Sequence, residues 1–483
     1  MIHYKAIGKI IGVLLILLGI LMLPSIAFSL YYGSNDLMAL VFSAILSSFS
    51  GALLFFSFAK QDQNIRKREG YLIVSLSWIF MSIFGMIPYL ISGSIPFLPD
   101  AIFETISGLT TTGATILEDI ESVPVGILTW RSMTQWIGGL GIIVLTVAIF
   151  PLLGIGGIEL FVAESPGPTS DKLHPRIRET AKRLWFVYVG LTLVLMLLYN
   201  LGGMDVFDAV NHALTTMATG GFSTKNASMA HFDIPFIQYV AVLFMFLAGT
   251  NFTIIYFGLK GKFRQVWASD EFRAYLFVVI FIVIALTIPI YFLSGEPIEK
   301  SFRDALFQVV SLITTTGYVT ADYLSYHDSL VIIFFMLLFF GACAGSTSGG
   351  IKFVRHLAFV KNSYLEFKRI VHPRAVVPLK INGDRVTGKV ITHIMNFLLI
   401  YLAIFVLGSI VMSLAGYDMI TSFGSVATSL GNVGPAIGLV GPMDNFAFFS
   451  PFAKLFLCFL MLLGRLELFT ILVLFTPYFW RAN

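Results

Sequence analysis

The chain has 483 residues, of which 57% are hydrophobic and only 12% are charged. Soluble domains carry about 25% charged residues, so this composition excludes an ordinary soluble protein and indicates a polytopic membrane protein. The formal net charge of +4 gives no support to nucleic-acid binding. The two cysteines, Cys343 and Cys458, lie in separate apolar stretches, which excludes a disulfide framework and a cysteine metal site.

Apolar stretches long enough to cross a bilayer recur along the whole chain. The first follows Lys5 and Lys9, and we predict that it is a retained membrane helix, because it is longer than the apolar part of a signal peptide and no clear cleavage site follows it. The predicted spans lie near residues 10–29, 37–59, 71–92, 126–152, 183–203, 235–259, 272–294, 328–360, 388–415 and 447–478.

Basic residues concentrate in the loops on one side of these spans. Clusters of lysine and arginine lie near 60–68, 172–183, 260–273 and 361–389, whereas the opposite loops carry only Lys225, Lys300 and Arg303. The positive-inside rule assigns the basic side to the cytoplasm. An even number of spans then predicts that both termini are cytoplasmic.

The outer loops contain four related segments, each of which ends in a glycine turn. They read DAIFETISGLTTTGAT, DAVNHALTTMATGGFS, DALFQVVSLITTTGYV and TSFGSVATSLGNVGPA, aligned on Gly113, Gly221, Gly317 and Gly434. Thirteen residues before these glycines stand Asp100, Asp208, Asp304 and Thr421, which are predicted N-caps of short helices. Helices of this length cannot span a bilayer, so we predict that each enters the membrane and stops halfway.

Polar, irregular backbone at membrane depth is tolerated only where it is buried in protein or lines a water-filled path. All four units enter and leave on the same sides, so they are parallel repeats around an axis along the membrane normal. Four extended segments that meet on this axis present rings of carbonyl oxygens, which replace the hydration shell of a cation. The negative C-terminal ends of the short helices favour a cation at the same place.

The sequence therefore predicts an all-α polytopic membrane protein. Two N-terminal transmembrane helices precede four parallel repeats of helix, pore helix, filter and helix around a pseudo-fourfold pore. The predicted units are 1–69 for the N-terminal helices and 70–165, 166–265, 266–380 and 381–483 for the pore repeats.

These features resemble the Trk/Ktr/HKT superfamily of potassium transporters, most closely its TrkH type. The resemblance covers nearly the whole chain and includes QWIGGLGI at 135–142, GACAGSTSGGIK at 341–352, HPRAV at 372–376 and GRLELFTILVLFTPYFW at 464–480. The two extra N-terminal helices favour TrkH over the shorter KtrB type. The resemblance implies a potassium selectivity filter formed by the backbone around Thr111, Thr112, Gly113, Gly220, Gly221, Thr315, Thr316, Gly317, Asn432, Val433 and Gly434.

The small residues from Gly341 to Gly350 interrupt a long apolar region. Such a stretch unwinds a helix easily or, alternatively, allows close helix packing. By resemblance it is the intramembrane loop that gates the pore, together with an arginine below the filter; the implied gate residues are Gly345, Ser346, Thr347, Gly349, Gly350 and Arg465. From the residues alone, Arg465 could equally pair with another repeat for structural reasons.

Ala342 and Ser348 stand where the family usually has glycine. The side chains at these two positions predict a slightly stiffer loop.

The predicted function is potassium uptake by channel-like conduction, with no catalytic constellation that indicates an enzyme. A membrane potential of about 100 mV gives one charge about 2.3 kcal/mol, so no coupling ion is required. The alternative is a sodium- or proton-coupled potassium symporter. Potassium is the transported ion and no covalent cofactor is expected.

The resemblance also implies a homodimer in a bacterial inner membrane, opened by a cytosolic nucleotide-binding ring of the TrkA type. The basic cytoplasmic residues at 352–389 are candidate contacts for that ring, or simply reflect the positive-inside rule.

Overall fold

The structure is a computed structural model that describes residues 4–58, 67–139, 141 and 177–481. Regular structure in these ranges is helical except for one antiparallel hairpin, β1 (Lys380–Ile381) with β2 (Asp384–Arg385). Within the described ranges, six helical segments are long and apolar enough to cross a membrane, and two further pairs of helices join at bends of 112° and 108°. The protein is an all-α, multi-pass membrane protein, as predicted.

The helices of the N-terminal part and the first repeat are α1 (Tyr4–Leu21), α2 (Leu23–Tyr32), α3 (Leu37–Ser57), α4 (Lys67–Gly85), α5 (Ile87–Ser92), α6 (Leu98–Leu109) and α7 (Val125–Gly139). The second repeat contains α8 (Ile177–Leu201), α9 (Val206–Met217), α10 (Pro235–Ala248), α11 (Phe252–Leu259) and α12 (Phe263–Trp267). A short 3-10 helix, Ser228–His231, follows α9.

The third repeat contains α13 (Asp270–Ser294), α14 (Ile298–Ile313), α15 (Asp328–Leu337) and α16 (Phe353–Val371). The fourth contains α17 (Gly388–Leu414), α18 (Met419–Gly431), α19 (Pro451–Arg465), α20 (Phe469–Leu472) and α21 (Pro477–Trp480). Further 3-10 turns are Tyr323–Ser325, Gly438–Val440 and Val473–Phe475.

The N-terminal helices α1 and α3 cross at two glycines. A Cβ atom added to Gly12 would lie 2.7 Å from the Gly51 carbonyl oxygen, and one added to Gly51 would lie 2.5 Å from the Gly12 carbonyl oxygen. The Ser47 hydroxyl donates across the same pair to the Leu15 carbonyl at 2.8 Å. Small residues that allow close backbone approach are the usual means of helix association in a bilayer.

A buried aspartate fastens this helical pair to the first repeat. Asp36, which is 1% exposed, accepts a hydrogen bond from the Ile127 amide in the first turn of α7 at 2.7 Å. Its other oxygen accepts from the Ser29 hydroxyl at 2.5 Å. The amide is one of the N-terminal helix donors that have no partner within their own helix.

The four short helices predicted from the repeats are α6, α9, α14 and α18, with 12, 12, 16 and 13 residues. Their predicted N-caps are wrong, because every helix starts earlier than Asp100, Asp208, Asp304 and Thr421. Asp205 and Asp418 cap α9 and α18, accepting bonds from the amides of Asp208 and Thr421 at 2.8 and 3.0 Å. Proline starts the other two helices, at Pro99 within the first turn of α6 and at Pro297 just before α14.

Three predicted spans are not single helices in the structure. The span at 328–360 consists of α15, an irregular loop at 338–352 and α16. The spans at 235–259 and 447–478 bend between α10 and α11 and between α19 and α20. Asn251 causes the first bend, because its side chain caps a new helix by accepting from the Thr253 amide at 2.8 Å.

The second bend contains Glu467, whose φ of +53° is incompatible with a continuing helix. The end of the predicted span at 126–152 and the boundary at 165/166 lie outside the described residues. The other predicted unit boundaries stay predictions.

We expect Asp36→Ala to detach the N-terminal helices partly from α7, because the Ile127 amide and Ser29 hydroxyl lose a charged acceptor. Bonds to ionised groups contribute about 1.5–3 kcal/mol each, so the loss of both bonds should cost roughly 3–6 kcal/mol. The apparent melting temperature of the purified protein in detergent measures this loss. Asp384→Ala, at an exposed position in β2, is the control; equal melting temperatures for the two variants would contradict the role of Asp36.

Candidate functional site: a ring of four glycine segments

Each of the four short helices ends in the same backbone turn. The residue at the turn is left-handed in all four repeats, with φ of 54° at Thr111, 53° at Thr219, 56° at Thr315 and 54° at Asn432. Two residues later the aligned glycine again has positive φ, which is 81° at Gly113, 77° at Gly221, 79° at Gly317 and 102° at Gly434. The residue between them has negative φ in every repeat.

This alternation of backbone hand has a geometric consequence. Residues of alternating hand direct successive N–H groups to one side of the chain, and therefore direct successive carbonyls to the other side. A normal β-strand instead points successive carbonyls in opposite directions. Each glycine segment thus presents a row of carbonyl oxygens along one edge.

The helix ends are closed by bonds that reach back five residues. These bonds run from Thr112 N to Ser107 O (2.9 Å), Gly220 N to Thr215 O (2.9 Å), Thr316 N to Ser311 O (2.8 Å) and Val433 N to Thr428 O (3.1 Å). They are the long bonds of the Schellman motif, in which the left-handed position is usually glycine or asparagine. Threonine at three of the four positions is strained, and strained backbone of this kind clusters at functional sites.

The four segments form a closed cycle. A Cβ atom added to Gly113 would lie 2.2 Å from Gly220 O, one at Gly221 would lie 2.0 Å from Thr316 O, one at Gly317 would lie 2.0 Å from Val433 O, and one at Gly434 would lie 2.8 Å from Thr112 O. Each glycine therefore touches the carbonyl that precedes the glycine of the next repeat, and the fourth repeat returns to the first. We call these four glycines the glycine ring.

One cavity of about 140 Å³ lies over the glycine ring, and all four glycines line it. Charged side chains of both signs, among them Glu118, Lys225 and Asp444, line the same cavity. Lys225 is paired with Asp208 at 3.1 Å. At the surface nearby, the hydrogen bond from Asn226 lowers the pKa of the Asp119 carboxyl. The ring thus opens into a polar vestibule.

The three threonines of each Thr-Thr-Thr-Gly sequence have different structural roles. The hydroxyls of the first and third lie 2.7 Å apart at Thr110 and Thr112, and 2.8 Å apart at Thr314 and Thr316. The middle threonine takes the left-handed conformation. The outer hydroxyls thus bond to each other and brace the turn, which leaves the backbone carbonyls as the oxygens directed along the segment.

Polar side chains on α7 hold the second segment from outside the ring. Gln135 donates to the Gly220 carbonyl at 2.6 Å and accepts from the Phe222 amide at 3.1 Å. One turn earlier, buried Arg131 donates to the Ser223 carbonyl at 2.8 Å and pairs with Glu104 at 2.5 Å. The sequence interpretation gave these residues no place in the site, although two polar residues at i and i+4 in an apolar span mark one face of a helix.

The sequence interpretation also missed Thr219. It occupies the left-handed position of the second repeat and is fully buried. Aligning the four repeats on their glycines would have found it, because Thr219 stands two residues before Gly221 as Thr111 stands before Gly113.

The loop at 338–352 lies directly beneath the glycine segments. Thr347 donates from its hydroxyl to the Met217 carbonyl at 3.1 Å, at the end of α9. The Gly349 amide donates to the Thr315 hydroxyl at 2.7 Å. A Cβ atom added to Gly349 would lie 2.7 Å from the Asn432 Cβ, so the loop also abuts the fourth segment.

The remaining predicted gate residues shape this loop. Gly345 has φ of +74° and accepts at its carbonyl from the Phe252 amide at 3.1 Å. The Ser346 hydroxyl donates to the Cys343 carbonyl at 2.6 Å. Gly350 has φ of +64° and lies against Gly341, where an added Cβ would be 3.3 Å from the Gly341 Cα. Gly345 and Gly350 thus supply the left-handed turns.

Ala342 and Ser348, which stand where the family that the sequence resembles usually has glycine, contact each other in the loop. The Ser348 hydroxyl accepts from the Ala342 amide at 3.2 Å and from the Lys352 ammonium at 3.3 Å. Glycine could not make these bonds, which is consistent with a stiffer loop; that stiffness stays a prediction.

A buried carboxylate on α13 fixes the loop at two points. One oxygen of Glu271 accepts from the Ala344 amide at 2.8 Å and from the Val354 amide at 3.1 Å. Asn251 holds the same region by donating to the Ala344 carbonyl at 2.7 Å. Neither residue was singled out by the sequence, because both bonds join elements that are distant along the chain.

Arg465 bridges three parts of the site. Its guanidinium donates to the Thr111 hydroxyl at 3.0 Å, to the Thr347 carbonyl at 2.8 Å and to the Gly139 carbonyl at 3.1 Å, and it also bonds the Gly138 carbonyl. Arg465 thus links the first, third and fourth repeats, as the structural alternative expects, and its role as a gate residue stays a prediction. The nearby Glu467 is paired with Arg355.

Within the described ranges, no group of three or more His, Cys, Asp or Glu side chains is placed to hold a metal ion. The oxygens beside the glycine ring belong to backbone carbonyls. The buried polar side chains of the four segments are threonines and one asparagine. Neutral oxygens in rings replace the hydration of a cation that must bind and leave again.

Comparison with known proteins agrees with this geometry. A sequence profile described as "TrkH: Cation transport protein" matches residues 37–481. The Trk system potassium uptake proteins TrkH of Salmonella typhimurium and of Escherichia coli K12 are each 40% identical over 485 residues, covering 99% of this chain and 100% of the relative. The crystal structure of the potassium transporter TrkH from Vibrio parahaemolyticus matches with a TM-score of 0.89 and 36% identity, over 99% of this chain and 100% of that one.

The matches extend over essentially the full chain, include the glycine segments and agree in sequence and in structure. The chain therefore belongs to the TrkH family of cation transport proteins.

Proposed function

We propose that this protein takes up potassium by conducting it through the glycine ring. The observation that carries the proposal is the closed cycle in which each glycine touches the carbonyl of the next repeat. Such a cycle gathers carbonyl oxygens from four segments around one axis, as a site for a partly dehydrated cation requires. Relatives that share 40% of the sequence are named as potassium uptake proteins.

The path uses the backbone around Thr111, Thr112, Gly113, Gly220, Gly221, Thr315, Thr316, Gly317, Asn432, Val433 and Gly434. Uncharged oxygens bind the ion weakly enough that it can leave again. The membrane potential supplies about 2.3 kcal/mol per charge at 100 mV, which is enough for roughly fiftyfold accumulation. Conduction therefore needs no coupling ion.

The 338–352 loop and Arg465 form the gate in this proposal. They lie under the glycine segments and bond to them at Thr111 and Thr315, so the ion cannot pass until they move. A cytosolic nucleotide-binding ring of the TrkA type would supply the displacement.

The basic region after the loop suits such a contact. Helix α16 exposes Tyr364, Phe367 and Val371 next to Lys368, all more than a third exposed. In this proposal the protein works as a homodimer in a bacterial inner membrane, with the α16 side and both termini in the cytoplasm.

Replacing Gly113 tests the carbonyl ring. We expect Gly113→Ser to lower the preference for potassium over sodium towards unity, because the new Cβ would lie 2.2 Å from the Gly220 carbonyl oxygen and must displace it. The measurement is rubidium uptake into proteoliposomes under an imposed potential, with sodium or potassium as competitor.

Gly93→Ser is the matched control for this variant. Gly93 also has positive φ, 72°, but nothing lies within 4 Å of its added Cβ. It should therefore keep the potassium preference. If Gly113→Ser discriminates between the ions as well as Gly93→Ser does, the ring is not the selective element.

Removing the arginine below the ring tests the gate. We expect Arg465→Ala to raise the rate of rubidium uptake in the absence of any partner ring, because the guanidinium blocks the path and clamps Thr347. Arg465→Lys keeps the charge but loses most of the hydrogen bonds that the guanidinium donates, and should raise uptake less.

The imposed gradients separate the two transport mechanisms. Uptake that follows the potential alone supports conduction. Uptake that requires an inward sodium or proton gradient would replace this proposal with the coupled symporter. Unchanged uptake in Arg465→Ala would remove the arginine from the gate.

A further inference from the structure

Below the glycine ring lies a second ring, formed by the four side chains at the left-handed positions. Its members are Thr111, Thr219, Thr315 and Asn432, and each is 0% exposed. The four residues hold the same left-handed position at the ends of the four short helices. We call this set the left-handed ring. It offers three hydroxyl oxygens and one amide oxygen.

The loop and the arginine bond to this ring. Arg465 donates to the Thr111 hydroxyl at 3.0 Å, and the Gly349 amide donates to the Thr315 hydroxyl at 2.7 Å. The Thr219 hydroxyl lies 3.3 Å from the Thr347 hydroxyl. The ring members of the first three repeats thus each face a group from the gate.

The fourth member of the ring, Asn432, makes a different set of hydrogen bonds. Asn432 donates from its amide nitrogen to the Thr112 hydroxyl at 3.0 Å and to the Met461 carbonyl at 2.9 Å, which fixes the orientation of the amide. Its oxygen Oδ1 has no hydrogen-bond partner among the described residues. A buried acceptor without a partner is unfavourable, and this one faces Gly349 and Gly464, which flank the gate.

We infer that the left-handed ring is a cation site whose oxygens are captured by the gate in this state. Opening is then an exchange of ligands, in which the Arg465 guanidinium and the Gly349 amide leave the hydroxyls and a potassium ion takes their place. Asn432 Oδ1, already without a donor, completes the ring. This inference rests on the proposed function and adds to it that the gate competes with the ion for the same oxygens.

The exchange explains why a cationic group and a backbone N–H meet the ring. Both present positive charge to the hydroxyl oxygens, as a potassium ion would. A gate that acted only by filling space would need no donors at these positions. A gate that acted only through the charge of Arg465 would need no bond to Thr111.

A double-mutant cycle between Thr111 and Arg465 tests the exchange. Valine has the shape and β-branch of threonine but no oxygen. Thr111→Val therefore removes the oxygen ligand and leaves a β-branched residue at the left-handed position. Potassium binding to the full-length protein in detergent is measured as the potassium concentration that gives half of the maximal thermal stabilisation, at constant ionic strength with choline.

We expect Thr111→Val to change this concentration less than about twofold while Arg465 is present, since the hydroxyl is already captured. In the Arg465→Ala background the same substitution should weaken binding about tenfold, the factor that one hydrogen-bond-strength ligand represents. Thr111→Ser, which keeps the hydroxyl, should behave like its parent in both backgrounds. Equal factors in both backgrounds would overturn the exchange and leave Arg465 acting through charge alone.

A second cycle guards against misfolding of the first variants. Gly349→Ala places a Cβ 2.7 Å from the Asn432 Cβ and should push the loop away from the ring. Thr315→Val should then weaken potassium binding in Gly349→Ala and leave it nearly unchanged in the parent. Thr105→Val, whose hydroxyl bonds only within α6 to the Ala101 carbonyl at 2.6 Å, is the matched control.

The failure of this inference differs from the failure of the proposed function. If potassium stabilises neither the parent nor Arg465→Ala more than choline does, the protein has no potassium site and both are wrong. If potassium stabilises both proteins but the two substitutions act independently in both cycles, only the ligand exchange is wrong.

Discussion

The close approach of backbone to backbone at the glycine ring is the constraint on which the rest of the site depends. An added Cβ at any of Gly113, Gly221 and Gly317 would come within about 2.2 Å of a neighbouring carbonyl oxygen. No side chain fits there, and the neighbouring segments must hold their positions to a few tenths of an ångström. The Schellman turns, the paired threonine hydroxyls and the clamp by Gln135 all restrain this backbone.

The same constraint explains the strain at the left-handed positions. Threonine is unfavourable at positive φ, yet three repeats have it there, at Thr111, Thr219 and Thr315. Such a conformation persists only when its surroundings determine it. The surroundings here include the loop and Arg465, which bond to the threonine side chains. In the proposed mechanism, selectivity and gating therefore involve the same few residues.

Much of this arrangement follows from sequence because it is periodic. Gly113 and its three counterparts share a spacing from the short helices, and that spacing predicted four parallel repeats. The break at Asn251 was not predicted, since apolar composition measures length and not continuity, whereas the small residues from Gly341 to Gly350 did indicate an interruption at the 338–352 loop. Contacts such as Glu271 with Ala344 join distant parts of the chain. They depend on packing, which leaves no periodic signal in a single sequence.

The groups that hold the glycine segments from outside are distributed unevenly among the repeats. The irregular loop belongs to the third repeat, the arginine to the fourth, and the Gln135 clamp reaches only the second segment. Four identical subunits in a symmetric assembly would constrict such a pathway by moving all four subunits in the same way. A single chain with four divergent copies can instead move a loop from one repeat alone, while the other three repeats keep their positions.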